Sequence, residues 1–575
     1  MDVKQAITPA DIQRDEKDRG TVETFQVGEM PHKEILLEEY LYWASITRAQ
    51  EAQYEDEGDS FRLFRGKLTK KSPIETNTPT PVEISNGTDE KNGHAVDRAS
   101  TSPTTAVSDE EWAEASRGIR TATWSAVFYL VTADIMGPSS APWAIAQLGY
   151  GPGISLYVIF GIVAGTGWLL WQMFLKLDSE KYPLKTYGDL AFRVFGSNSR
   201  HFVNVLQSIE ILSNVGVILL GNSQGLSQVV VGKVCFSVLC LIWAIAGMVI
   251  GQIRTLQKLS YLTSLNLWMT ILTLCMTMGI ISHSAPSYAT ALASNGVAEG
   301  PVITTGGVPP GSTFNTQIVG LMQAVYSYGG AVLFLEFMSE MKRPWDFWKS
   351  LMAAQVVILT VYLTFGIFVY TYQGQFAINP AGQGISNFTW LCVINVIGMV
   401  AGIISGALYG NIGIKVIYQT VIKDAFNGPE LSSSRGKLIW AGMVPLYWSL
   451  AFVIASAIPQ FSNIQGFIGA LCILQFSYTF PPLLKLGFDI QVHAILPGES
   501  FDPVTRQVNR MDKGFTRWVR GMKHQWYIKL ALLLFVLASA STAILGMYSS
   551  TLAIIAGFKA YHAASAFGCV SPVIG

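Results

Sequence analysis

The chain has 575 residues, half of them hydrophobic and only 14% charged, with a mean hydropathy of +0.35. A soluble domain carries about 25% charged residues, so the composition excludes an ordinary soluble domain and indicates a protein that crosses a bilayer repeatedly. The zero formal net charge names no partner, because the charges are segregated: most of the acids lie in the first 115 residues.

Residues 1–115 read as a cytoplasmic, largely disordered tail. Thr76–Pro81 and Ser100–Thr105 are rich in Ser, Thr and Pro, and Ser-Pro or Thr-Pro pairs begin at Ser72, Thr78, Thr80 and Ser102. Such a composition cannot bury a core. Glu34–Gln50 differs, because Ile35, Leu36, Leu41, Tyr42 and Ile46 are interleaved with acids. That pattern fits a short amphipathic helix, either transient or docked on the cytoplasmic face. Met1–Gly20 is polar and charged, so no cleavable signal is expected and the first span directs insertion. Lys4, Lys17 and Lys33 are candidate attachment points for ubiquitin-driven trafficking machinery acting on the tail.

From Thr121 eleven spans are predicted: 121–148, 153–175, 201–229, 234–251, 258–282, 315–340, 348–372, 389–414, 437–457, 461–486 and 526–556. They define a transmembrane domain over 116–560, followed by a short extracellular tail over 561–575. The connections after even-numbered spans carry the bases, among them Lys176, Lys181, Arg193, Lys342, Arg343, Lys485, Arg510 and Arg517. The connections Ser284–Phe314 and Gln373–Phe388 carry no Lys or Arg. This alternation places the amino terminus in the cytoplasm. Asn387-Phe388-Thr389 is then a glycosylation sequon on the outer side. Of the six cysteines, Cys235, Cys240, Cys275, Cys392, Cys472 and Cys569, five lie in apolar runs without metal-ligand spacing, and packing thiols are expected.

Two spans are interrupted. Gly137-Pro138-Ser139-Ser140 breaks the first, since Pro138 and Pro142 lack amide hydrogens and clash with the preceding turn. Tyr326-Ser327-Tyr328-Gly329-Gly330 breaks the sixth. Each break opens a block of five spans, and five is odd, so the second block enters the membrane upside down. Paired interruptions of this kind mark an inverted-repeat transporter with a site at the midplane. Main-chain groups freed in lipid cost several kcal/mol each unless satisfied, and an amino acid can satisfy them. Amides near Ser139–Ala141 suit its carboxylate, and carbonyls near Ala133–Met136 suit its ammonium. The expected substrate-binding set is Asp134, Ile135, Met136, Gly137, Pro138, Ser139, Ser140, Asn214, Tyr326, Ser327, Tyr328, Gly329 and Gly330, with Asn395 and Gly398 of the eighth span lining further walls.

Three acids lie at membrane depth: Asp134, Glu210 and Glu336. Each costs about 2.5–3.5 kcal/mol if charged at the midplane, and no Lys or Arg occupies the central parts of these spans. They are the proton-coupling candidates, Asp134 first because it adjoins the break. The alternative is a neutral, hydrogen-bonded acid that holds helices together.

The stretches GPSSAPWAIAQLGYGPG, KTYGDLAFRVFG, RTLQKLSYL, YSYGGAVLFLEFMSEMKRPWDFWKS and FIGALCILQFSYTFPPLLKL carry a resemblance over about residues 115–560. The chain resembles the amino acid/auxin permease family, and within it the fungal neutral amino acid permeases. The resemblance implies an all-α polytopic membrane protein with the leucine-transporter-like 5+5 inverted repeat plus an eleventh helix, helices 1 and 6 being broken. It also implies secondary uptake of amino acids coupled to protons. Where the sodium-coupled branch has an Asn-Thr pair, this chain reads Val131-Thr132-Ala133-Asp134.

The expected function is therefore a proton symporter importing large aliphatic or aromatic neutral amino acids at the plasma membrane by alternating access. No cofactor, metal or nucleic acid is expected, only the amino acid substrate and the lipid bilayer. The alternatives are a vacuolar amino acid exporter, or an amino-acid-sensing receptor with little net transport. An enzyme is not expected, because no zinc-ligand run, nucleophile motif or phosphate loop is present.

Overall fold

The computed structural model describes residues 35–53, 120, 122–253, 256–426, 428–429, 431, 433–512, 514–559 and 565–573. The tail expected to be disordered falls mostly on residues 1–34 and 54–119, outside the described residues. Nine helices among the described residues are long and apolar enough to cross a membrane. They are span two (Tyr150–Leu177), span three (Ser197–Val229), span five (apolar over Ser264–Ile281), span six (Phe314–Glu340), span seven (Pro344–Phe376), span eight (Phe388–Ile422), span nine (Ser434–Ala457), span ten (Phe461–His493) and span eleven (Trp526–Lys559). The remaining two expected spans are met by shorter pieces. Span four is the apolar helix Phe236–Ile250, and span one is Trp124–Ile135 followed, after the break, by Ala141–Leu148.

The helices separate by what they bury. Spans three, four, eight, nine and ten share one core built on Val215, Leu219, Phe236, Ala244, Ile414, Trp440, Trp448 and Ile468. Apolar matching drives little association inside lipid, so close helix approach depends on small side chains and hydrogen bonds. Span eight accordingly presents Gly402 to span three, where a Cβ would lie 2.2 Å from Asn222 Oδ1. Span seven packs instead along both halves of span one: at Gly366 a Cβ would lie 2.9 Å from Ile145 Cδ1 and 3.2 Å from Ala141 Cβ. The two broken spans are tied where the first begins and the sixth ends: Ala122 N–H donates to Glu340 O and Lys342 N–H to Ala122 O, both at 3.0 Å.

Span ten departs from a regular helix. Gly469–Ile473 and Gln475–Thr479 are wound as π-helix, a form concentrated at functional sites. Side chains from elsewhere take carbonyls of this stretch: Tyr187 Oη donates to Phe476 O at 3.2 Å and Thr166 Oγ1 to Ser477 O.

The connection between spans seven and eight is packed inward, with Ala377, Ile378, Ala381 and Ile385 all buried. Asn379 Nδ2 reaches Gln323 Oε1 of span six at 3.3 Å and Gln465 Oε1 of span ten at 2.9 Å. Asn387 Oδ1 accepts from Trp390 N–H and caps span eight, giving the sequon asparagine a helix-starting role.

One of the five cysteines expected to be packing thiols is paired with the sixth. Cys235, at the start of span four, forms a disulfide with Cys569. Backbone bonds support it: Phe236 N–H donates to Cys569 O at 3.1 Å, and Phe567 N–H to Ser456 O at 2.8 Å. The expectation failed because the partners stand 334 residues apart in sequence. A protease site inserted in the exposed stretch 297–312 tests the pairing. After cleavage the two fragments should migrate together on a non-reducing gel, separate on reduction, and separate without reductant in Cys235→Ser.

Candidate functional site at the two helix breaks

The first half of span one ends where Met136 N–H makes its last helical bond, to Thr132 O at 2.9 Å. Gly137 follows at φ −145° and ψ 62°, so this glycine is not needed for a left-handed turn. Pro138–Ser140 form one tight turn, and Ala141 N–H folds back onto Pro138 O. That bond occupies one of the amides expected to await a carboxylate.

A side chain from span seven satisfies the gap itself. Tyr362 Oη accepts from Gly137 N–H at 3.1 Å and donates to Ile135 O at 2.9 Å. One hydroxyl thus satisfies an N–H and a carbonyl freed at the break. The Ile135 carbonyl expected to hold an ammonium is therefore already bonded to tyrosine.

The second break is shorter. Span six runs as helix over Phe314–Ser327, relaxes through Tyr328, Gly329 and Gly330, and resumes at Ala331. Tyr326 is half-buried and its Oη donates to Asn214 Oδ1 at 2.9 Å, so these two predicted residues are brought together. Ser327 Oγ bonds Gln323 O at 2.7 Å and pairs with Tyr157 Oη at 3.3 Å. Tyr328 is buried against span two, where its Oη donates to Tyr157 O at 3.0 Å; it packs between helices and does not line the gap.

The breaks touch. At Gly330 a Cβ would lie 2.4 Å from Ile135 Cγ1 and 3.0 Å from Asp134 Oδ2, and at Gly329 it would lie 2.6 Å from Ile473 Cγ2 of the π-wound stretch. Only hydrogen fits at these positions. Behind the contact Tyr157 and Tyr362 stack, with ring centroids 5.8 Å apart and planes at 23°. Tyr157 comes from span two and bonds break six, while Tyr362 comes from span seven and bonds break one. Spans two and seven hold the same place in their five-span blocks, so the crossed pair expresses the repeat in side chains.

The acids lie around this contact. Asp134 Oδ1 accepts from Tyr409 Oη of span eight at 2.6 Å, while its Oδ2 has no hydrogen-bond partner among the described residues. Glu210 is 1% exposed, with both carboxyl oxygens unpartnered among the described residues, and it lies within electrostatic range of Asp134. Glu336 Oε1 accepts from Gln207 Nε2 at 3.0 Å, and its Oε2 is unpartnered among the described residues. Thr132 Oγ1, Gln207 Oε1, Tyr447 Oη and Ser477 Oγ are likewise buried and unpartnered among the described residues. Span eight reaches the site through Tyr409 and not through Asn395, whose Nδ2 is turned to Gln228 Oε1 at 2.9 Å nearer the outer end. Among the described residues no group of His, Cys, Asp and Glu is arranged to hold a metal ion.

Tyr157, Tyr362 and Tyr409 were not predicted. The only signal was the presence of tyrosine in apolar spans, which packing alone also explains.

Residues 120–489 match the profile of a family described as transmembrane amino acid transporter protein. The chain belongs to this family. A Gibberella moniliformis protein named transmembrane transporter is 24% identical over 312 residues, which is 52% of this chain and 61% of that protein. The chain thus spans about three fifths of that relative's length. A Neurospora crassa protein named N amino acid transport system protein is 27% identical over 371 residues, 62% of this chain and 74% of that protein. Among solved structures, the inward-facing conformation of Mhp1 aligns at 12% identity and a TM-score of 0.42, covering 76% of this chain and 92% of that one. The family and these relatives are transporters, not enzymes.

Three substitutions test the geometry. Gly330→Ala should cut initial uptake at least about tenfold at normal surface expression, since overpacking of about 1–3 kcal/mol falls on the contact between the breaks. Gly137→Ala, whose Cβ would meet nothing within 4 Å, should retain most of the uptake. Tyr362→Phe should lower both uptake and thermal stability, because it strands an N–H and a carbonyl at about 1–3 kcal/mol each; a fully active, equally stable variant would remove Tyr362 from this role.

Proposed function

We propose that this protein is a secondary active importer of neutral amino acids, driven by protons and working at the plasma membrane by alternating access. The observation that carries the reading is the direct meeting of two helix breaks beside a carboxyl oxygen, Asp134 Oδ2, that lacks a hydrogen-bond partner among the described residues. In this reading Asp134 Oδ2 receives the substrate ammonium or its coupling proton. The first turn after Pro138 receives the carboxylate, and Tyr326 with Asn214 forms one wall. No lysine or arginine stands at the breaks to hold an extra negative charge, which supports a neutral side chain.

Protons suit the three acids. An ionised carboxylate buried like Glu210 needs a counter-charge or water, and neither Glu210 nor Asp134 has an ion-pair partner among the described residues. Asp134 lies at the break of span one, Glu210 about two fifths along span three, and Glu336 near the end of span six. The series supports a route for a proton from the substrate gap toward the cytoplasmic ends. Spans one, two, six and seven would rock against the core of spans three, four, eight and nine. The disulfide supports the expected orientation: Cys235 and Cys569 lie on the face opposite the basic connections, and disulfides persist on the oxidising side of a membrane.

Uptake of a panel of radiolabelled amino acids in permease-deficient yeast, with and without an uncoupler, tests the assignment. Accumulation of large neutral amino acids that collapses with the uncoupler is expected. No accumulation of any amino acid at any pH, with surface expression confirmed, refutes it. Asp134→Asn should abolish concentrative uptake while leaving the protein at the surface; unchanged pH-dependent uptake would take Asp134 out of the coupling role.

A further inference from the structure

The helix Leu37–Gln53 is docked, and the face it buries is partly polar. Leu37, Glu38, Tyr40, Ala44 and Thr47 are buried, whereas Leu41, Tyr42 and Ile46 are only partly covered. A glutamate on the hidden face needs charged partners, and it has them. Glu38 accepts from Arg510 through Nε at 2.9 Å and Nη2 at 2.6 Å, and from Arg517 Nη2 at 2.8 Å. Both arginines belong to the connection between spans ten and eleven. Arg517 also bonds the buried Glu499, through Nη1 to Oε2 at 2.7 Å. Leu496 N–H also donates to Glu499 Oε2. Burial would raise the Glu499 carboxyl, but these donors outweigh it and hold it below its ordinary value.

The helix also grips the connection that follows span two, at its start, where Tyr182 Oη donates to Glu39 Oε1 at 2.7 Å, and at its other end. Arg48 Nη2 bonds Asp178 Oδ2 at 2.8 Å, and Asp178 closes span two. Arg120, four residues before span one, bonds both Asp178 oxygens at 2.9–3.0 Å. Thr47 Oγ1 accepts from Glu180 N–H at 3.3 Å, and Lys181 Nζ sits 4.0 Å from the Trp43 ring centroid. One helix therefore spans from the cytoplasmic ends of spans one and two to the connection between spans ten and eleven.

We propose that Leu37–Gln53 is an autoinhibitory clasp. It fixes spans one and two relative to the rest of the cytoplasmic face, and must loosen at the Glu38 or the Arg48 end before the transport cycle turns over. The clasp rests on the alternating-access reading above, since it acts only if those spans move.

Two measurements test it, and one does not depend on uptake. A Ser139→Cys reporter is labelled by a membrane-impermeant maleimide applied to the cytoplasmic face, against the parent without that cysteine. Combining Glu38→Ala with Arg48→Ala should change the labelling rate by at least about fivefold, the lower end of ordinary coupling between sites, and should raise the maximal uptake rate of the chain carrying native Ser139. In a second variant, Tyr42→Cys with Phe501→Cys places thiols where the native rings lie 5.3 Å apart. Oxidation should lock the clasp and suppress uptake, and reductant should restore it in the same protein, which excludes misfolding as the cause. Unchanged labelling in the double alanine variant, or full uptake by the oxidised cross-linked protein, overturns the clasp. Altered labelling with no uptake by any variant or by the parent leaves the clasp standing and overturns the importer.

Discussion

The site depends on the two hydrogen bonds made by Tyr362 Oη to Gly137 N–H and Ile135 O. In a bilayer a helix can be opened only if something other than water takes the exposed main-chain groups. A tyrosine from the adjoining span does so, at fixed geometry and without adding charge. Its ring stacks on Tyr157, which bonds the other break, so the two discontinuities share one aromatic support. A substrate entering the gap does not have to hold the helix open. It meets a break already stabilised, and its own polar ends are left to bond what the tyrosine does not.

Sequence reasoning located this gap from two kinds of residue. Proline cannot continue the ladder, and Gly329-Gly330 permits contact closer than any other side chain allows; both effects act within a few positions. The span ends were legible for the same reason, being set by runs of apolar residues against Lys and Arg. Tyr362 was not legible, because the groups it bonds are 225 and 227 residues away in sequence. Tyr409, Tyr157 and the Cys235–Cys569 pair were hidden in the same way. For the amino-terminal helix the element was legible, but its partners were not, because Glu38 bonds arginines more than 470 residues away in sequence.

Unpartnered buried polar atoms are spread through the described residues: Asp134, Glu210, Glu336, Tyr447 and Ser477 carry them on spans one, three, six, nine and ten, and Asn266, Gln355 and Ser550 on spans five, seven and eleven. Asn222, Asn266 and Asn379 bond across helices through their amide nitrogens and hold spans together, although the Asn266 and Asn379 oxygens are themselves without a partner among the described residues.

The Cys235–Cys569 link also bears on how the protein is made. Its first thiol leaves the ribosome before span four and its second only after span eleven, so Cys235 waits unpaired while most of the membrane domain is synthesised. Oxidation can therefore join the two ends only on a chain that has delivered both to the same face. A polypeptide that inverts a single intervening span delivers the two cysteines to opposite faces, and the missing bond becomes a mark of faulty insertion.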